Sequence, residues 1–460
     1  MVSLFGVRVD SWRAVILAGG NGTRMRSEIP KMLQPICGRE MVGLVSDAVI
    51  GAGFEDVVVV VPLNSSGFGD LAIGKVTLIE QSTPSGTAHA VSQVHNLMEH
   101  YHGDLLVING DVPLITSNTI TALMAHHRTS EANVTLLTCS GFPSKGMGRV
   151  LREEAGSITT IVEEAELDRN TIMSSEGNVG VYCLKSPWLW EALTELLPSQ
   201  SGEIYLTDLV ASAVKQGYSV DSLALEDTME GLGVNDGIQL AKAREIMQRR
   251  VNEKWLLTGV NIMEPAFIDV TVELGPDTTV YPNTFLRGRT LIGKKCQIGP
   301  GSIIDNSVIA DGCRVLLSVI EEAVLDEDVD IGPYSHIRAE SHVEKNVHIG
   351  NFAEIKKSRL GSGTKLGHFS YLGDAWVGSN VNIGAGTVTC NFDGLDKHET
   401  IIEDDAFIGS DSMLVAPVRI GARASTGAGS VVTKDVPADT KVVGIPARIV
   451  SSEISQKGSK

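Results

Sequence analysis

Long hydrophobic runs are absent from this sequence. None reaches the roughly 18 apolar residues that a membrane-spanning helix needs, and the first twenty residues lack the cationic stretch and long apolar stretch of a secretory signal. The six cysteines are scattered over 460 residues without a CxxC pair. That spacing argues against a disulfide framework and favours reduced thiols. We therefore expect a cytoplasmic protein that does not enter a membrane.

Basic residues are also scarce. The chain has 38 Lys and Arg against 56 Asp and Glu, a formal net charge of −18. A general nucleic-acid binder needs a basic face, so the composition argues against that function. The negative field also repels anionic substrates that come within about 8 Å, the Debye length at physiological salt, because salt screens the field at longer range. Any anionic substrate must therefore be held by local cations.

The first half of the chain alternates short runs rich in β-branched residues with amphipathic stretches. The runs AVILAGG, EDVVVVVP, GDLLVINGDVPLI and ANVTLLTC suit buried parallel strands, and MVGLVSDAVIGAG and SNTITALMAHHRTS suit helices. This pattern predicts a doubly wound, Rossmann-like α/β domain over residues 1–234, with ligands at the carboxyl ends of its strands. Residues 235–257 have apolar positions at helical spacing and no proline, which predicts a linker helix.

The second half follows a six-residue period. Aliphatic residues recur at this spacing in four series, Ile292 to Ile304, Ile331 to Ile355, Leu360 to Leu372 and Ile402 to Ile420. A strict hexapeptide period with frequent glycine is the signature of a parallel β-helix. We expect it over residues 258–450, followed by a tail at 451–460. A polar insertion, TCNFDGLDKHET at 389–400, interrupts the period, and insertions of this kind often carry function.

The loop after the first predicted strand reads LAGGNGTRMRSEIPK, from Leu17 to Lys31. It lacks the third glycine of a GxGxxG dinucleotide fingerprint and the GK[ST] of a Walker loop. A glycine turn remains, whose backbone N–H groups can approach an anion, with Arg24 and Lys31 as counter-charges. The alternative is that the glycines form only a strand-to-helix turn and bind no anion.

The order of the motifs resembles that of sugar-nucleotide pyrophosphorylases. LAGGNGTRM and PKML are followed by GTAHAV, GDVPLI, GMGRV, EGNVGVY and GLGVND. Together with the hexapeptide half, nearly the whole chain resembles the bacterial bifunctional N-acetylglucosamine-1-phosphate uridylyltransferase/glucosamine-1-phosphate acetyltransferase family. The resemblance implies a left-handed β-helix, a homotrimer and two reactions that supply precursors for peptidoglycan and lipopolysaccharide. It implies UTP, glucosamine-1-phosphate, N-acetylglucosamine-1-phosphate and acetyl-CoA as substrates, and Mg²⁺ as cofactor.

The resemblance also assigns roles in the first domain. Arg24 and Lys31 match the catalytic cations that neutralise the phosphates, and Asp111 and Asn235 match the metal ligands. The positions that match contacts to uracil and ribose are Leu17, Ala18, Gly19, Gly20, Gln81, Gly86 and Thr87, and those that match sugar contacts are Gly148, Glu163 and Asn178. Within the first domain, the chain departs from the family pattern in two places. It has Gly19 where LAAG is usual, and Ala165 where a lysine is expected.

In the second domain the resemblance makes His368 the general base and Glu354 the carboxylate that orients it. Arg338 and Lys356 match the cations that hold the sugar phosphate, in a pocket completed by Tyr371 and Asn382. The positions that match the coenzyme A site are Ala385, Asn391, Phe392, Ser410, Ala428 and Arg448. Phe392 replaces the usual tyrosine, and Ala339 replaces the usual proline.

Other interpretations remain open from the sequence. The β-helix could be regulatory, as in the adenylyltransferases of storage-glucan synthesis, although the His368 string argues against this. The chain could be a non-catalytic assembly protein, or an acetyltransferase whose first domain is weakened or redirected by Ala165. The histidines of HAVSQVHNLMEHYH are irregularly spaced, which favours a solvated helix over a zinc site.

Overall fold

The computed structural model describes residues 12–20, 22–63, 67–69, 75–83, 85–141, 146–167, 174–199 and 202–451. The predicted tail therefore lies outside the described residues except for residue 451, and so do residues 1–11. The chain divides into two compact units, Met1–Met247 and Gln248–Lys460. Within the described ranges, no helix is long and apolar enough to cross a membrane.

The first unit contains a central sheet flanked by helices. Its strands are β1 Trp12–Leu17, β2 Pro35–Ile36, β3 Arg39–Glu40, β4 Val57–Pro62, β5 Val76–Gln81, β6 Asp104–Asn109, β7 Val134–Ser140, β8 Arg149–Arg152, β9 Ile158–Val162, β10 Glu176–Lys185 and β11 Val220–Ala224. Its α-helices are α1 Met41–Gly51, α2 Thr87–Ser92, α3 His95–Met98, α4 Ser117–Ser130, α5 Ser186–Glu195 and α6 Asp208–Lys215, and α7 Gly237–Leu257 begins in this unit. Short 3₁₀ helices lie at Thr23–Met25, Lys31–Leu33, Glu164–Glu166 and Thr228–Gly231.

The main sheet has the order β11-β7-β10-β6-β1-β4-β5. Strands β1, β4, β5 and β6 are parallel. The residues of β1, β4 and β6 are mostly buried on both faces because helices cover the sheet, whereas the edge strand β5 exposes Thr77 and Glu80. The sequence predicted this α/β architecture, and the structure confirms it. Strand β10 runs antiparallel to both β6 and β7, a feature that the apolar runs did not predict. The carboxyl ends of β1, β5 and β6 meet at one edge, where the predicted site residues follow.

Helix α7 begins two residues later than predicted. The side chain of Asp236 accepts hydrogen bonds from the backbone N–H groups of Ile238 and Gln239, each at 3.0 Å. An aspartate that satisfies the free N–H groups of the first turn is a typical N-cap, so the helix starts at Gly237. The boundary between the two compact units falls within this helix.

The second unit is a parallel β-helix with three sheets. The first sheet contains Asn261–Ile262, Thr279–Val280, Gln297–Ile298, Arg314–Val315, Asp330–Ile331, His348–Ile349, Lys365–Leu366, Asn382–Ile383, Phe407–Ile408, Ser425–Thr426 and Lys441–Val443, and it ends with the antiparallel strand Arg448–Ser451. The second sheet contains Ala266–Ile268, Thr284–Arg287, Ile303–Asp305, Val319–Glu321, His336–Ile337, Ala353–Lys356, Ser370–Gly373, Val388–Cys390, Met413–Val415 and Val431–Val432. The third contains Glu273–Leu274, Leu291–Ile292, Val308–Ile309, Val324–Leu325, His342–Val343, Arg359–Leu360, Ala375–Val377, Thr400–Ile402 and Val418–Ile420.

The hexapeptide period places one aliphatic residue per strand in the interior. Ile292, Ile298 and Ile304 lie in the third, first and second sheets, and each is at most 4% exposed. Each then stacks on the equivalent residue of the next coil, as Ile298 does on Val315. The insertion at 389–400 leaves the coil after the second-sheet strand Val388–Cys390 and returns at Thr400–Ile402. The predicted β-helix of hexapeptide repeats is therefore confirmed.

Candidate active sites

The loop after β1 turns back sharply at Gly22. This residue has φ of 56°, and an added Cβ would overlap the side chain of Lys31. Glycine is therefore required both for the backbone conformation and for the close approach of Lys31. The 3₁₀ helices Thr23–Met25 and Lys31–Leu33 follow, and they bring Arg24 and Lys31 to the carboxyl edge of the sheet.

Lys31 is the centre of a polar cluster at this edge. Its ammonium lies 2.7 Å from Asp111 Oδ2 and 2.9 Å from Asn235 Oδ1, and its side chain is only 9% exposed. The guanidinium of Arg24 donates to the same Asn235 oxygen at 3.1 Å. Asp111 follows the end of β6, and Asn235 precedes α7, so three distant segments converge on one point.

The cluster fits a magnesium ion in its donor chemistry. Asp111 and Asn235 direct two hard oxygens towards one cation, which in this structure is the Lys31 ammonium. Within the described part of the chain, no group of three or more His, Cys, Asp or Glu side chains could hold a metal. A metal at this point would have two protein oxygens and would take its other ligands from water or phosphate, as Mg²⁺ commonly does.

Two cavities meet at this cluster. The larger, of about 470 Å³, and the smaller, of about 90 Å³, are both lined by Thr87, Asn109, Asp111 and Asn235. The larger cavity gathers the residues predicted for phosphate, uracil and ribose, namely Leu17, Gly19, Gly20, Arg24, Lys31, Gln81 and Gly86. The smaller gathers those predicted for the sugar, namely Gly148, Glu163 and Asn178. Ala18 does not line either cavity, because it is fully buried and its N–H donates to the Val60 carbonyl of β4 at 2.8 Å.

Glu163 joins Asp111 as an acidic residue that lines the smaller cavity. Burial raises the pKa of its carboxyl, while a 2.8 Å hydrogen bond from the Thr207 hydroxyl opposes that rise. Across the cavity, the Asn178 amide donates to the Tyr182 hydroxyl at 2.6 Å. Ala165, where the family lysine is expected, is exposed in the 3₁₀ helix Glu164–Glu166 and lines neither cavity.

Sequence reasoning missed several lining residues of the two cavities. Asn109 lines both, and its position at the end of β6, just before Gly110 and Asp111, was a usable signal. Glu203, Tyr205 and Thr207 come from a segment without a recognisable motif, so only the fold identifies them.

The second candidate site lies on the β-helix. Arg338 and Lys356 occupy equivalent positions in consecutive coils, at the ends of their second-sheet strands, because Ile337 pairs with Ile355. Together with Ala339 and neighbouring acidic residues they line a cavity of about 250 Å³. Lys397 of the insertion, and then Arg338, lower the pKa of the Lys356 ammonium by placing like charges beside it. These cations are the candidates for holding an anionic group, although Asp305, Glu321 and Glu322 line the same cavity.

Glu354 contacts one of these cations. Its carboxylate accepts a 2.7 Å hydrogen bond from Arg338 Nη1, and Tyr371 is its neighbour on the next coil. Its predicted role in orienting His368 stays a prediction, because the contact that the structure gives for its carboxylate is to Arg338. Gly373 leaves room for the Tyr371 ring, since an added Cβ there would overlap the Tyr371 hydroxyl.

The 389–400 insertion is fixed at both ends. Asn391 is only 7% exposed, and its amide donates to Asp374 Oδ2 at 2.6 Å. The carboxylate of Asp393 contacts His398 Nε2 at 2.7 Å and accepts two backbone N–H bonds at 2.8 Å, which together lower the pKa of that carboxyl. Phe392 forms a bridge with Lys397, and its ring is 59% exposed.

His368 shares one corner of the β-helix with the predicted coenzyme A residues. The strand register aligns Leu366 with Ile383 and then Ile408 on successive coils. It follows that equivalent corner positions are occupied by His368, Ala385, Ser410 and Ala428. The coils approach closely here, because a Cβ added at Gly409 would lie 2.8 Å from the Ala428 nitrogen. The imidazole of His368 is exposed at the start of this column.

Two predicted residues lie apart from these groups. Asn382 is on the first sheet, whereas Lys356 and Tyr371 are on the second, and neither Asn382 nor Tyr371 lines the cavity of Arg338 and Lys356. Arg448 is in the last, antiparallel strand, where its exposed guanidinium contacts the carbonyls of Pro446 and Ala447 at 3.4 and 3.3 Å.

Comparison with known proteins matches a different family model to each unit. Residues 14–211 match the model for the MobA-like NTP transferase domain, and residues 399–434 match the bacterial transferase hexapeptide model. A solved structure titled UDP-glucose pyrophosphorylase complexed with UDP-glucose has 17% identity and a TM-score of 0.43, covering 52% of this chain and 98% of that chain. That likeness is too low to support any argument about the site.

Relatives match along nearly the full length. "Bifunctional protein GlmU" of Pelobacter propionicus is 42% identical, covering 95% of this chain and 96% of that protein. The protein of the same name from Listeria monocytogenes serotype 4a is 42% identical over 93% of this chain and 94% of its own length. For Geobacillus sp. strain WCH70 the identity is 42%, with coverage of 92% and 93%. At this identity over nearly its whole length, the chain belongs to the family of bifunctional GlmU proteins.

Proposed function

We propose that the chain makes UDP-N-acetylglucosamine in two reactions, one in each unit. The β-helix transfers the acetyl group of acetyl-CoA to glucosamine-1-phosphate. The first unit then transfers the uridylyl group of UTP to the resulting N-acetylglucosamine-1-phosphate and releases pyrophosphate. The product is a precursor for cell-wall synthesis. The observation that carries the proposal is the Lys31–Asp111–Asn235 cluster, placed where the two cavities of the first unit meet.

The uridylyl transfer brings several negative charges to one centre. A phosphate oxygen of the sugar phosphate bonds to the α-phosphorus of UTP, and the bond from that phosphorus to the bridging oxygen breaks. Catalysis of such a step depends mainly on alignment and charge neutralisation. Arg24 and Lys31 line the larger cavity and supply positive charge, while Glu163 and Asn178 orient the sugar in the smaller cavity.

We propose Mg²⁺ as the cofactor of this site. Asp111 and Asn235 would hold it, and when bound it would neutralise phosphate charge that the protein's net charge of −18 otherwise opposes. The Lys31 ammonium contacts both of these oxygens, so it is placed to move onto the phosphates when the site is loaded.

The acetyl transfer requires a base and an anion site. The amine nitrogen of the sugar bonds to the thioester carbon, the carbon–sulfur bond breaks, and the amine proton passes to His368 while the thiolate leaves as coenzyme A. Arg338, Lys356 and Tyr371 hold the sugar phosphate on the second sheet. Coenzyme A lies along the corner formed by Ala385, Ser410 and Ala428, with Asn391 and Phe392 of the insertion and Arg448 of the last strand as further contacts.

We also propose a homotrimer, in which a neighbouring chain completes the acetyl-transfer site. The position of Asn382 on a different sheet from Lys356 supports this, because one chain does not assemble the predicted pocket. The functional boundaries we propose are 1–234, 235–257, 258–450 and 451–460. The cytoplasmic location stays a prediction.

The test is a product analysis with the full chain. Incubation with glucosamine-1-phosphate, acetyl-CoA, UTP and Mg²⁺ should yield UDP-N-acetylglucosamine, coenzyme A and pyrophosphate by mass spectrometry. Asp111→Ala should abolish only the uridylyl transfer, and His368→Ala only the acetyl transfer. Accumulation of N-acetylglucosamine-1-phosphate by the unsubstituted chain would instead indicate a weakened or redirected first unit. No product at all would favour an assembly protein.

A further inference from the structure

The Gln81 carboxamide forms part of the wall of the larger cavity. The residue ends β5 and is only 4% exposed, so each end of its amide needs a partner. The nitrogen, Nε2, lies 2.9 Å from His89 Nδ1 and 3.4 Å from the Gly86 carbonyl oxygen. The oxygen, Oε1, is on the side of Gly19, where an added Cβ would overlap it.

These neighbours determine which end of the Gln81 amide is the nitrogen and which is the oxygen. The Gly86 carbonyl can only accept a hydrogen bond, so the end that faces it must be the NH₂ group. His89 Nδ1 then accepts from the same group, which places the imidazole proton on Nε2. The second ring contact is weaker, because Gln93 Nε2 lies 3.3 Å from His89 Nε2 and also faces the His89 carbonyl oxygen at 3.3 Å.

His89 itself is behind this wall. It lies in α2, is half-buried and does not line the cavity, whereas Gln81, Gly86, Thr87 and Ala90 do. Its contact with the ligand can therefore only be indirect, through Gln81. Because the Gly86 bond is long, the 2.9 Å contact with His89 is the stronger constraint on the amide.

We propose that His89 is a positioning residue for base selection, which holds Gln81 Oε1 towards the cavity as a hydrogen-bond acceptor. This inference rests on the proposed function, in which the larger cavity binds UTP. An acceptor at this wall pairs with the N3–H group of uracil. Cytosine has an unprotonated N3, so its lone pair would face that of Gln81 Oε1, and both would lose a hydrogen bond. The site therefore selects a pyrimidine with an imide N–H group.

The absence of a methyl group at residue 19 is part of this arrangement. With Gly19, the Gln81 oxygen occupies space that a Cβ would otherwise fill. The carboxamide can therefore remain against the loop after β1 while its nitrogen keeps both contacts on the side of α2.

The experiment compares UTP and CTP as substrates of the full chain, with N-acetylglucosamine-1-phosphate and Mg²⁺. His89→Leu removes the acceptor at Nδ1 and leaves the amide free to rotate by 180°. The matched control is His95→Leu in α3. His95 is also half-buried, but its ring packs against Trp190, with 5.0 Å between the ring centroids, and not against Gln81. Acetyl transfer by the second unit, measured on the same samples, reports the integrity of each preparation.

We expect His89→Leu to lower the ratio of kcat/KM for UTP over CTP by about tenfold, mainly through a higher KM for UTP. His95→Leu should leave the ratio unchanged. A double-mutant cycle adds a readout that general destabilisation would not reproduce. In the Gln81→Glu background both ends of the side chain are acceptors, so His89→Leu should no longer change the ratio.

Three results would overturn the proposal. The first is an unchanged UTP/CTP ratio in His89→Leu. The second is an equal loss of uridylyl transfer and acetyl transfer in His89→Leu, which would indicate a structural role. The third is a full effect of His89→Leu in the Gln81→Glu background. An unsubstituted chain that acetylates but uses neither nucleotide would overturn the proposed uridylyl transfer and this inference together, so the two failures are distinguishable.

Discussion

The ammonium of Lys31 lies 2.7 Å from the carboxylate of Asp111, although the two residues are 80 positions apart in the chain. Lys31 belongs to the loop after β1, and Asp111 follows β6, the neighbouring parallel strand. Adjacent parallel strands end at the same edge of a sheet, so the two loops meet there. The contact joins the residue predicted to neutralise phosphate with the residue predicted to hold the metal.

Removal of the Lys31 charge should affect one reaction only. We expect Lys31→Met to lower kcat/KM for uridylyl transfer by about 10²- to 10³-fold, because a preorganised cation at a developing negative charge is lost. The rate of acetyl transfer should stay within about twofold of that of the unsubstituted chain. Lys215→Met, an exposed lysine in the last turn of α6, is the control. Equal losses in both reactions would indicate that Lys31 supports folding instead.

The hydrogen bond from Thr207 should set the pH range in which Glu163 binds the sugar. Burial raises the pKa of Glu163 and the Thr207 hydroxyl lowers it, so Thr207→Val should raise it further. An acid with a raised pKa takes up its proton at a higher pH, so the carboxylate is lost earlier as the pH falls. We expect KM for N-acetylglucosamine-1-phosphate to begin rising at a higher pH in the variant.

The measurement is KM against pH from about 5 to 8, spanning the range above the ordinary value for glutamate. Thr194→Val, which removes a hydroxyl that donates to the Glu191 carbonyl at the end of α5, is the matched control. Superimposable profiles for Thr207→Val and the control would contradict the prediction.

Lys397 should contribute to binding of the amino-sugar phosphate. It lowers the pKa of Lys356 because two ammonium groups lie side by side, and an anion between them would relieve this repulsion. We expect Lys397→Ala to raise KM for glucosamine-1-phosphate by about tenfold, with a smaller difference at high salt. Lys365→Ala, an exposed lysine on the first sheet, should have no such effect. An unchanged KM in Lys397→Ala would refute this role.

The stacked aliphatic residues in the interior of the β-helix should dominate the stability of the second unit. Leu366 is fully buried and stacks between Ile349 and Ile383, so Leu366→Ala should lower the free energy of unfolding by about 2–5 kcal/mol. Leu395 is 88% exposed in the insertion, and Leu395→Ala should cost less than about 0.5 kcal/mol. Urea unfolding followed by circular dichroism gives both values. Similar losses in the free energy of unfolding for the two variants would contradict a core that is formed by the aliphatic residues of the hexapeptide repeat.

The ion pair between Arg152 and Glu176 should make the first unit sensitive to acid. Arg152 Nε donates to Glu176 Oε2, and Arg152 Nη2 donates to Glu176 Oε1, each at 2.7 Å. These bonds lower the pKa of Glu176 below its ordinary value of 4.5. A carboxyl whose pKa is lower in the folded state stabilises the fold above the unfolded pKa. That contribution is lost as the pH falls from 4.5 through the folded value.

We therefore expect the urea midpoint of the first-unit transition to fall more steeply below pH 4.5 in the unsubstituted chain than in Arg152→Met. Arg39→Met, which removes a more exposed pair with Asp47, is a control for the loss of one positive charge. Parallel pH curves for the unsubstituted chain and Arg152→Met would contradict the prediction.

Sequence patterns predicted the fold class well because the relevant signals are local. The hexapeptide period fixes which side chain of each strand points inwards, and the apolar runs of β1, β4 and β6 indicate strands buried on both faces. The ordered motifs also indicated most residues that line the two cavities. The antiparallel direction of β10 was not predictable in this way, because strand direction depends on where the chain returns to the sheet.

By itself, the sequence determined the two architectures, the glycine turn at Gly22 and the candidate cations, since each depends on residues close together in the chain. Only the tertiary structure decided which distant groups meet. It joined Lys31 to Asp111 and Asn235, paired Glu354 with Arg338, and placed His89 behind Gln81. It also put Asn382 on a different sheet from the cations that it was predicted to assist. These relationships arise from strand order and coil register, which bring together residues that no local pattern connects.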